Sequence, residues 1–582
     1  MIWFLKDAAR VEQERRAIAG LAESAPWLSG VAWRLDERLR LCVDADILID
    51  EIVFPITLRY PEFYPHTPPS VWPRGNVGER WSEHQYGAGG ELCLEYGPDN
   101  WVPELTGAGL LVSAHRLLVG EQGGGDAPRE LVASRHQTTL GQDLRSSRFR
   151  FVVTSGLAAF VQTLPSGTLI PLTTRWVRQA RSCMAVVGKA RPATGPEWID
   201  LDVPPDLGVA VEGVLVRLPA AANGPPIKSF AALCATLGKS GIDLEAWSAD
   251  QEAPPELFVL AWEDHLEVWW RWESPKDSVV RFETVIVSDV GRARLSAGFQ
   301  ALADKAVAIV GCGSAGAKIA VSLARCGVGR FVLVDDDILL PQNLVRNELD
   351  WRDIGSHKAD ALAARLRLVN SRVVTEPRRV RLSAQEASGT AAAALHAIAH
   401  CDLIVDATAN PSAFNILVSI VAAAEKPLVW LEVFGGGYGG LVARHRPGVD
   451  PTPQSMRAGI LDWCSRRNRS WPTIADPYEA GDDEGVPLVA DDAAVSVIAA
   501  NAAQLAIDQL LRETPSRFPH AIYLVGLGRG WIFGQAFESF PIDIERPTME
   551  QKNQGDAEDA QAGIAFVEAL VRRLRDDSSR SP

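Results

Sequence analysis

The feature that most constrains the fold of this 582-residue chain is a strand, a glycine-rich turn and a helix in immediate succession. An apolar run ends at Val310, and a helical pattern continues to Cys326. Between them stand three glycines: Gly311, Gly313 and Gly316. Glycines at this spacing permit a tight turn and let backbone N–H groups approach an anion at the helix N-terminus. The sequence therefore predicts a nucleotide site in a Rossmann-like α/β domain.

The residues after the next strand bear on which nucleotide binds. Asp335 ends the strand FVLVD, about 20 residues after the glycines, where a ribose-binding acid is expected. Arg346 and Lys358 could form a cation pair that binds a triphosphate and the charge that develops as pyrophosphate leaves. Asp337 or Asp406 could help to organise Mg²⁺. Because hydride transfer needs no phosphate clamp, the pattern favours ATP over NAD.

This segment resembles the ThiF/ubiquitin-activating superfamily. The matching residues are Asp335, Asp337, Asn343, Leu344, Arg346 and Lys358. The resemblance implies that a partner's C-terminal carboxylate attacks the α-phosphate of ATP and forms an acyl-adenylate. It further implies that Arg346 and Lys358 contact phosphates, that Asn343 lies near the site, and that the domain forms a homodimer. In that dimer Arg294 would reach into the partner's site, or else be a solvated charge at a helix end.

The chain departs from the superfamily pattern at two positions. Asn347 replaces the usual glutamine. The strand end that usually reads D-x-T-D-N has Ala409 in place of its second aspartate, the usual Mg²⁺ ligand. Either Asp406 takes over that role, or the metal is held differently. The alternative for Asp406 is a carboxylate that caps a loop at the end of a strand.

A second group of residues with chemical meaning lies near the N-terminus. Prolines in YPEFYPHTPPSV fix a rigid surface path after a strand. The segment GELCLE then places Cys93 beside glycine-rich turns, where we expect an exposed loop. A free thiol there can attack a thioester or an acyl-adenylate, because the thiolate is a good nucleophile even when scarce near neutral pH. The alternative for Cys93 is a small buried apolar residue.

The order of these motifs resembles the ubiquitin-conjugating enzyme fold, an α+β domain. Cys93 then corresponds to the thioester cysteine, and His84 to the first residue of the H-P-N segment. The asparagine of that segment, which supports the oxyanion or the active-site loop in the family, is absent, because Gln85 and Tyr86 follow His84. For His84 a structural hydrogen bond in the loop is the alternative to catalysis.

The region after the C-terminal sheet raises the question of a second thiol. Ubiquitin-activating enzymes often pass the acyl group through a cysteine of their own here, and zinc-holding ThiF relatives carry C-P-x-C. This chain lacks that motif, but Cys464 stands near Arg466 and Arg467, which could lower its pKa. Two alternatives stay open: Cys464 carries the acyl group, or it is a helix-core residue and the adenylate passes directly to Cys93.

The patterns predict an α/β multidomain protein with four segments. These are a ubiquitin-conjugating-like domain (1–145), a β-rich linker or docking domain (146–290), an adenylation domain (291–545) and a polar tail with a short helix (546–582). Within the first segment, the patterns predict two helices and two strand-like runs: Lys6–Glu23, Thr106–Leu118, Trp33–Val43 and Ile47–Arg59.

Composition bounds the partners and the compartment. The chain carries 58 Lys+Arg against 73 Asp+Glu, a formal charge of −15, which argues against a general nucleic-acid binder or a basic membrane-surface protein. Its eight cysteines contain no CxxC pair, so we expect no disulfide framework and a cytoplasmic location. We expect no membrane span, because no apolar run reaches roughly 18 residues.

The architecture puts activation and conjugation on one chain, and tethering raises the effective concentration of the acyl donor. It resembles the fused activating–conjugating proteins of bacterial anti-phage islands (CBASS) and of related ubiquitin-like operons. The resemblance implies that the C-terminal tail of a cyclic-oligonucleotide synthase (CD-NTase), or a ubiquitin-like protein, is joined to a lysine of an acceptor protein. The alternatives are a ThiF-like sulfur-carrier activator, with no use for Cys93, and a non-catalytic scaffold.

Overall fold

The protein is described by a computed structural model in two compact units, Met1–Arg145 and Ser146–Pro582. The structure describes residues 2–75, 81–82, 84–86, 89–122, 144, 147–219, 227–249, 251, 254–272, 278–287, 295–382, 388–472, 490–544, 561, 563–568 and 571. Arg294 and most of the tail 546–582 therefore lie outside the described residues.

The N-terminal unit combines helices with a four-stranded antiparallel meander in the order β1-β2-β3-β4. Its helices are α1 (Trp3–Lys6), α2 (Ala8–Ser24) and α3 (Gly107–Gln122), and its strands are β1 (Leu28–Leu35), β2 (Leu41–Ile49), β3 (Ile52–Arg59) and β4 (Ser70–Pro73). The two predicted strand runs are thus three strands. The first run breaks because the Asp36 carboxylate accepts the N–H groups of Arg38 and Arg40 and closes a turn. The second run was predicted to start at Ile47, but β2 still includes that residue and the chain turns only at Asp50 and Glu51.

A buried carboxylate ties the pieces of this unit together. Glu14 on α2 has no solvent exposure. It accepts hydrogen bonds from the Tyr60 hydroxyl and the Gly107 N–H, both at 2.7 Å, and from the Tyr64 hydroxyl. Arg10 pairs with it at 3.1 Å. The two tyrosines of the proline-rich motif are therefore structural, and they fix the path that leads toward Cys93.

The first part of the larger unit is a closed β-barrel with short helices on it. The sheet order is β5-β12-β11-β10-β9-β6-β7-β8, and β5 also pairs with β7, which closes the ring. The strands are β5 (Phe149–Val153), β6 (Leu169–Gln179), β7 (Ser182–Ala190), β8 (Trp198–Ile199), β9 (Val209–Arg217), β10 (Leu257–Ala261), β11 (Leu266–Trp272) and β12 (Ser278–Ile286). The helices are α4 (Ser155–Gln162), α5 (Phe230–Gly238) and α6 (Leu244–Ala249). Phe151, Trp176 and Phe282 pack in one of its apolar cores.

The second part is an eight-stranded sheet in the order β15-β14-β13-β16-β17-β18-β19-β20. Its strands are β13 (Ala306–Val310), β14 (Arg330–Val334), β15 (Val374–Arg378), β16 (Leu403–Asp406), β17 (Leu428–Val433), β18 (Gly439–His445), β19 (Ile522–Gly526) and β20 (Ser539–Ile542). The five strands from β15 to β17 are parallel, and the last three are antiparallel. The strand predicted to end at Val310 and the predicted strand FVLVD are confirmed as β13 and β14.

Helices cover both faces of this sheet. They are α7 (Ser314–Arg325), α8 (Lys358–Val369), α9 (Ser388–Ala399), α10 (Pro411–Ala424), α11 (Pro453–Ser465) and α12 (Asp492–Leu511). One apolar cluster gathers residues of α7, α8 and α12, and the other gathers residues of α9, α10 and α11. The strand order reverses between β13 and β16, which is where doubly wound sheets bind ligands at their carboxyl ends.

Helix α12 corrects the expectation that no segment is long and apolar enough to cross a membrane. It has 20 residues and passes that test by length and composition. However, 61% of its apolar window is buried inside the protein, where Ile498, Ala502 and Leu505 pack in the same cluster as residues of α7 and α8. A helix that is apolar all round is expected in the core of a large domain as well as in a membrane.

A buried ion pair anchors α12 to the antiparallel end of the sheet. Arg444 on β18 and Asp508 on α12 have side-chain exposures of 0% and 2%. Asp508 also accepts hydrogen bonds from the Ser516 hydroxyl at 2.8 Å and the Arg517 N–H at 3.1 Å. Because Asp508 bonds three groups at once, its removal would leave a guanidinium buried without its counter-charge.

We predict that Asp508→Ala destabilises the protein by about 3–5 kcal/mol, the usual effect of removing one partner of a buried pair. The matched control is Asp462→Ala, because Asp462 pairs with Arg466 but is 62% exposed, and exposed pairs contribute about 0–1 kcal/mol. Urea unfolding followed by tryptophan fluorescence measures both. Equal shifts in the two variants would contradict the importance of the buried pair.

Candidate nucleotide-binding and thiol sites

The turn between β13 and α7 has a conformation that requires glycine. Gly311 has φ +88°, and its N–H donates to the Val334 carbonyl at 2.9 Å. A Cβ on Gly316 would lie 1.9 Å from the Gly311 carbonyl oxygen, whereas a Cβ on Gly313 would meet nothing within 4 Å. Gly311 and Gly316 therefore build the turn. Gly313, at the N-cap of α7, leaves open space next to the helix N-terminus. The N–H groups of the first turn of a helix are available to an anion there.

A cavity opens at this turn, between the ends of β13, β14 and β16. Its lining comprises Val310, Gly311, Gly313, Val334, Asp335, Asp336, Val380, Arg381, Leu382, Ala407, Thr408, Asn410 and Ala413. Asp335 accepts the Cys312 N–H at 2.7 Å and the Asp337 N–H at 2.9 Å. Burial raises the pKa of Asp335 above its ordinary value. The predicted ribose-binding acid thus lies in the cavity and is held by the glycine turn itself.

Lys358 and Asp337 form an ion pair beside this cavity. Lys358 begins α8 and is 6% exposed, and its ammonium contacts the Asp337 carboxylate. Burial acts to raise the pKa of Asp337, but the contact with Lys358 outweighs it and the pKa is lowered. The structure therefore joins a predicted phosphate ligand to a predicted metal ligand.

The other two predicted phosphate-site residues follow β14 in a short 3₁₀ helix, Pro341–Val345. The Asn343 side chain accepts the Leu340 N–H at 2.9 Å, so it caps that helix. Arg346 follows at its end and is partly exposed. Neither residue, nor Lys358, is among the described residues that line the cavity. Their phosphate contacts stay predictions.

Asp406 ends β16 and is 3% exposed. Its Oδ1 accepts the Thr408 N–H at 3.0 Å and the Thr408 hydroxyl at 2.6 Å. Burial raises its pKa, and the Thr408 hydrogen bonds only partly oppose this effect. Asp406 therefore caps the loop at the end of its strand, as one of the two predicted alternatives states. Ala409 follows in this loop with φ +50°.

A second cavity lies against Asp406 and shares Asn410 with the first. Its polar lining includes Glu432 and Arg457, and Phe414, Trp430 and Trp471 supply aromatic walls. Burial raises the pKa of Glu432, and the Trp471 hydrogen bond and Arg457 act in the opposite direction. The two cavities therefore meet at one edge of the sheet. The glycine turn lines only the first of them, and charged side chains line both.

The sequence patterns did not predict three charged residues that line these cavities, Arg381, Glu432 and Arg457. Arg381 follows β15, so a basic run directly after a strand was the signal that could have indicated it. Glu432 lies at the end of β17 and was hidden within an apolar run. Arg457 lies on α11, which reaches the cavity only through the tertiary fold, so no local pattern indicates it.

Cys93 lies in a small hairpin of the N-terminal unit. Its N–H donates to the His84 carbonyl at 2.7 Å, and Gln85 pairs with Leu92 as an antiparallel bridge. Cys93 is partly exposed rather than buried. Burial nevertheless raises the pKa of its thiol above the ordinary value. The His84 Nε2 lies 3.8 Å from the Glu121 Oε1, with both side chains mostly covered. The structure thus brings the backbones of His84 and Cys93 together beside one antiparallel bridge.

Cys464 has the helix-core position that was one of its two alternatives. It lies on α11, is 1% exposed, and packs in an apolar cluster of the C-terminal sheet. Burial raises the pKa of its thiol, and Arg467 only partly opposes this effect. The expectation that neighbouring arginines lower the pKa is therefore wrong in its net direction. A role as acyl carrier stays a prediction that requires α11 to move.

A doubly wound sheet with a glycine turn and an acid at its switch point defines a nucleotide-binding α/β domain. Residues 288–524 match the family model described as the ThiF family. The predicted Rossmann-like ThiF domain is therefore confirmed, and so is the resemblance to ubiquitin-activating-like proteins, as the following relatives show.

Two relatives carry the name ATP-dependent ubiquitin transferase-like protein Cap2. The protein from Pseudomonas aeruginosa is 30% identical over 184 residues, covering 31% of this chain and 30% of the relative. The protein from Escherichia coli is 28% identical over 233 residues, covering 35% of each. The adenylyltransferase and sulfurtransferase MOCS3 of Bos taurus is 36% identical over 129 residues, covering 22% of this chain and 27% of the relative. The chain thus spans about a third or less of the length of these relatives.

A structural likeness is weaker. The crystal structure of E. coli MccB with ATP aligns at 18% identity with a TM-score of 0.33, covering 43% of this chain and 67% of that chain. At that score the likeness supports no statement about the fold or function of this protein.

We predict that Gly316→Ala and Gly313→Ala differ in their effect on the stability of the protein. Gly316→Ala forces a Cβ into the Gly311 carbonyl and should cost about 2 kcal/mol or more, as overpacking does. Gly313→Ala meets open space and should leave the free energy of unfolding, measured in urea, within about 0.5 kcal/mol of the wild type. Equal stability of the two variants would show that the turn is not as closely packed as described.

Proposed function

We propose that this protein uses ATP to activate the C-terminal carboxylate of a partner protein as an acyl-adenylate, passes the acyl group to Cys93 as a thioester, and joins it to an amine of an acceptor protein. The observation that carries the first step is the cavity at the glycine turn, where Asp335 and the N-terminus of α7 meet at the switch point of a ThiF-type sheet. The observation that supports the second step is a partly exposed thiol paired across a hairpin with His84.

The cavity suits a nucleoside triphosphate for electrostatic reasons. In the open space above Gly313, the N–H groups at the start of α7 would donate hydrogen bonds to phosphate oxygens, and Asp335 would accept one from a ribose hydroxyl. Arg381 lines the same space. A triphosphate would also compete with Asp337 for the ammonium of Lys358, so nucleotide binding and release of that ion pair are expected to be coupled.

The residues fit Mg²⁺ in part. A magnesium ion in a nucleotide site needs one or two carboxylates, and phosphates and water complete its six positions. Asp406 fits for two reasons. Both Thr408 hydrogen bonds go to its Oδ1, which leaves Oδ2 as the oxygen that would bind the ion. Burial favours the neutral carboxyl, and a nearby cation would favour the charged carboxylate instead. Asp337 fits only once Lys358 has left it. Bound Mg²⁺ would neutralise phosphate charge during adenylation.

The acyl transfer needs little from the N-terminal unit beyond an accessible thiol. Sulfur attacks the carbonyl carbon of the adenylate, the bond to the phosphate oxygen breaks, AMP leaves and the thiol proton is lost to solvent. Because Cys464 is buried, we favour direct transfer from the adenylate to Cys93. The final amine is proposed to belong to a lysine of the acceptor.

The partner is proposed to be a CD-NTase primed in CBASS defence, and a ubiquitin-like modifier is the alternative. The two relatives named Cap2, ubiquitin transferase-like proteins, support a protein partner with a free C-terminal tail. We further propose a homodimer and a cytoplasmic location. Arg294 would act across the dimer.

A second candidate function is activation of a sulfur carrier. The relative named adenylyltransferase and sulfurtransferase MOCS3 favours this function, because its name combines adenylyl transfer with sulfur transfer. It predicts a thiocarboxylate on the partner and an activity that survives loss of Cys93. A non-catalytic scaffold predicts partner binding without pyrophosphate exchange.

We predict that Lys358→Ala lowers ATP–pyrophosphate exchange about 100-fold or more, in line with removal of one charge-stabilising group from a reacting centre. Lys239→Ala, on an exposed lysine of the barrel region, should exchange like the wild type. Exchange is measured with ATP, labelled pyrophosphate and a partner bearing a free C-terminus. Undiminished exchange in Lys358→Ala would contradict its role at the phosphates.

We predict that ATP and the partner form a thiol-sensitive adduct on the full chain that Cys93→Ala abolishes. Cys464→Ala should retain the adduct, and Cys234→Ala provides a control at another partly exposed thiol. Non-reducing gels and intact mass report the adduct. An adduct that survives Cys93→Ala would contradict the assignment of this thiol and favour the sulfur-carrier function.

A further inference from the structure

The hairpin that holds Cys93 sorts its side chains onto two faces. Successive side chains of a strand point to opposite faces, so residues two apart share one. The bridge joins Gln85 to Leu92, and these two residues are 6% and 2% exposed. They face the interior of the N-terminal unit. His84, Tyr86, Glu91 and Cys93 consequently share the other face.

Two backbone hydrogen bonds fix this register. The Cys93 N–H donates to the His84 carbonyl at 2.7 Å, and the Tyr86 N–H donates to the Glu91 carbonyl at 2.9 Å. Tyr86 is therefore the diagonal neighbour of Cys93 on the same face, and diagonal neighbours are within reach of a long aromatic side chain. Tyr86 is 61% exposed, and its hydroxyl acts to lower the pKa of the Cys93 thiol.

We propose that Tyr86 is a positioning residue for Cys93: its hydroxyl donates a hydrogen bond to the sulfur, orients the thiolate toward an incoming acyl group and increases its population. This inference rests on the proposed role of Cys93 as acyl acceptor. The tyrosine transfers no proton in this role. In the acyl transfer the C–S bond forms, the bond from the carbonyl carbon to the phosphate oxygen breaks, and the thiol proton goes to solvent.

The charges around the sulfur explain why such a donor matters. Burial raises the pKa of Cys93, the Tyr86 hydrogen bond lowers it, and the negative charge of Glu91 raises it. His84 shares the face, and Glu121 on α3 lies 3.8 Å from the His84 ring. Tyr86 is thus the group that offsets burial and Glu91, because a donor to sulfur stabilises the thiolate over the thiol.

The test is the pH profile of alkylation of Cys93 by iodoacetamide on the full chain, quantified on the peptide that holds Cys93. With Tyr86→Phe the midpoint should rise, and the rate below it should fall about 10-fold or more, the effect of losing one hydrogen bond to a charged group. Above the midpoint the two rates should converge, because both thiols are then ionised. With Glu91→Gln the midpoint should move the opposite way.

Tyr96→Phe is the matched control, because it removes a hydroxyl three residues beyond Cys93 and should leave the profile unchanged. A Tyr86→Phe profile that overlays the wild type would overturn the proposal. A decrease of the alkylation rate by the same factor at every pH would also overturn it, since that result indicates a changed local structure around Cys93 rather than the loss of a hydrogen bond.

The ATP-dependent adduct on Cys93 is measured on the same proteins. If the wild type forms none, the proposed function fails, while the alkylation profile still decides whether Tyr86 controls the sulfur. If the wild type forms the adduct and Tyr86→Phe forms it equally fast, the role of Tyr86 in acyl transfer fails and the proposed function stands.

Discussion

The C-terminal site depends on the close approach of two backbone segments at the glycine turn. The Gly311 carbonyl lies where a Cβ on Gly316 would be, so the first turn of α7 can pack directly above the end of β13. That contact, together with the reversal of strand order between β13 and β16, brings the ends of three strands to one edge of the sheet. Asp335, Asp406 and the N-terminus of α7 meet there for this reason, although they are far apart in the sequence.

A comparable constraint acts in the N-terminal unit, but it is electrostatic. The buried carboxylate of Glu14 gathers Tyr60, Tyr64 and the start of α3. Within the motif that resembles a ubiquitin-conjugating enzyme, the two tyrosines therefore hold the fold together, whereas the segment with Cys93 is proposed to carry the chemistry. Each unit thus holds its proposed site on a rigid local framework, and the proposed function requires an acyl group to travel between the two sites.

Features with a local cause could be predicted from the sequence. The glycine turn, the strands β13 and β14, and the acid at Asp335 each follow from short patterns, since turn geometry and strand periodicity are set by neighbouring residues. Features made by the tertiary fold could not be predicted in this way. Arg457 reaches its cavity only because α11 packs on the sheet, and the burial of Cys464, which reverses the expected direction of its pKa, has the same origin.

The central claim is that a partner's carboxylate is adenylated before it reaches Cys93. The most direct test uses a CD-NTase or a ubiquitin-like protein whose C-terminal carboxylate carries ¹⁸O, mixed with ATP and the full chain, with mass analysis of the nucleotide released. AMP is expected to carry one labelled oxygen, because the carboxylate oxygen stays on phosphorus when sulfur displaces AMP from the adenylate. Unlabelled AMP, or ADP as the product, would contradict adenylation of the partner.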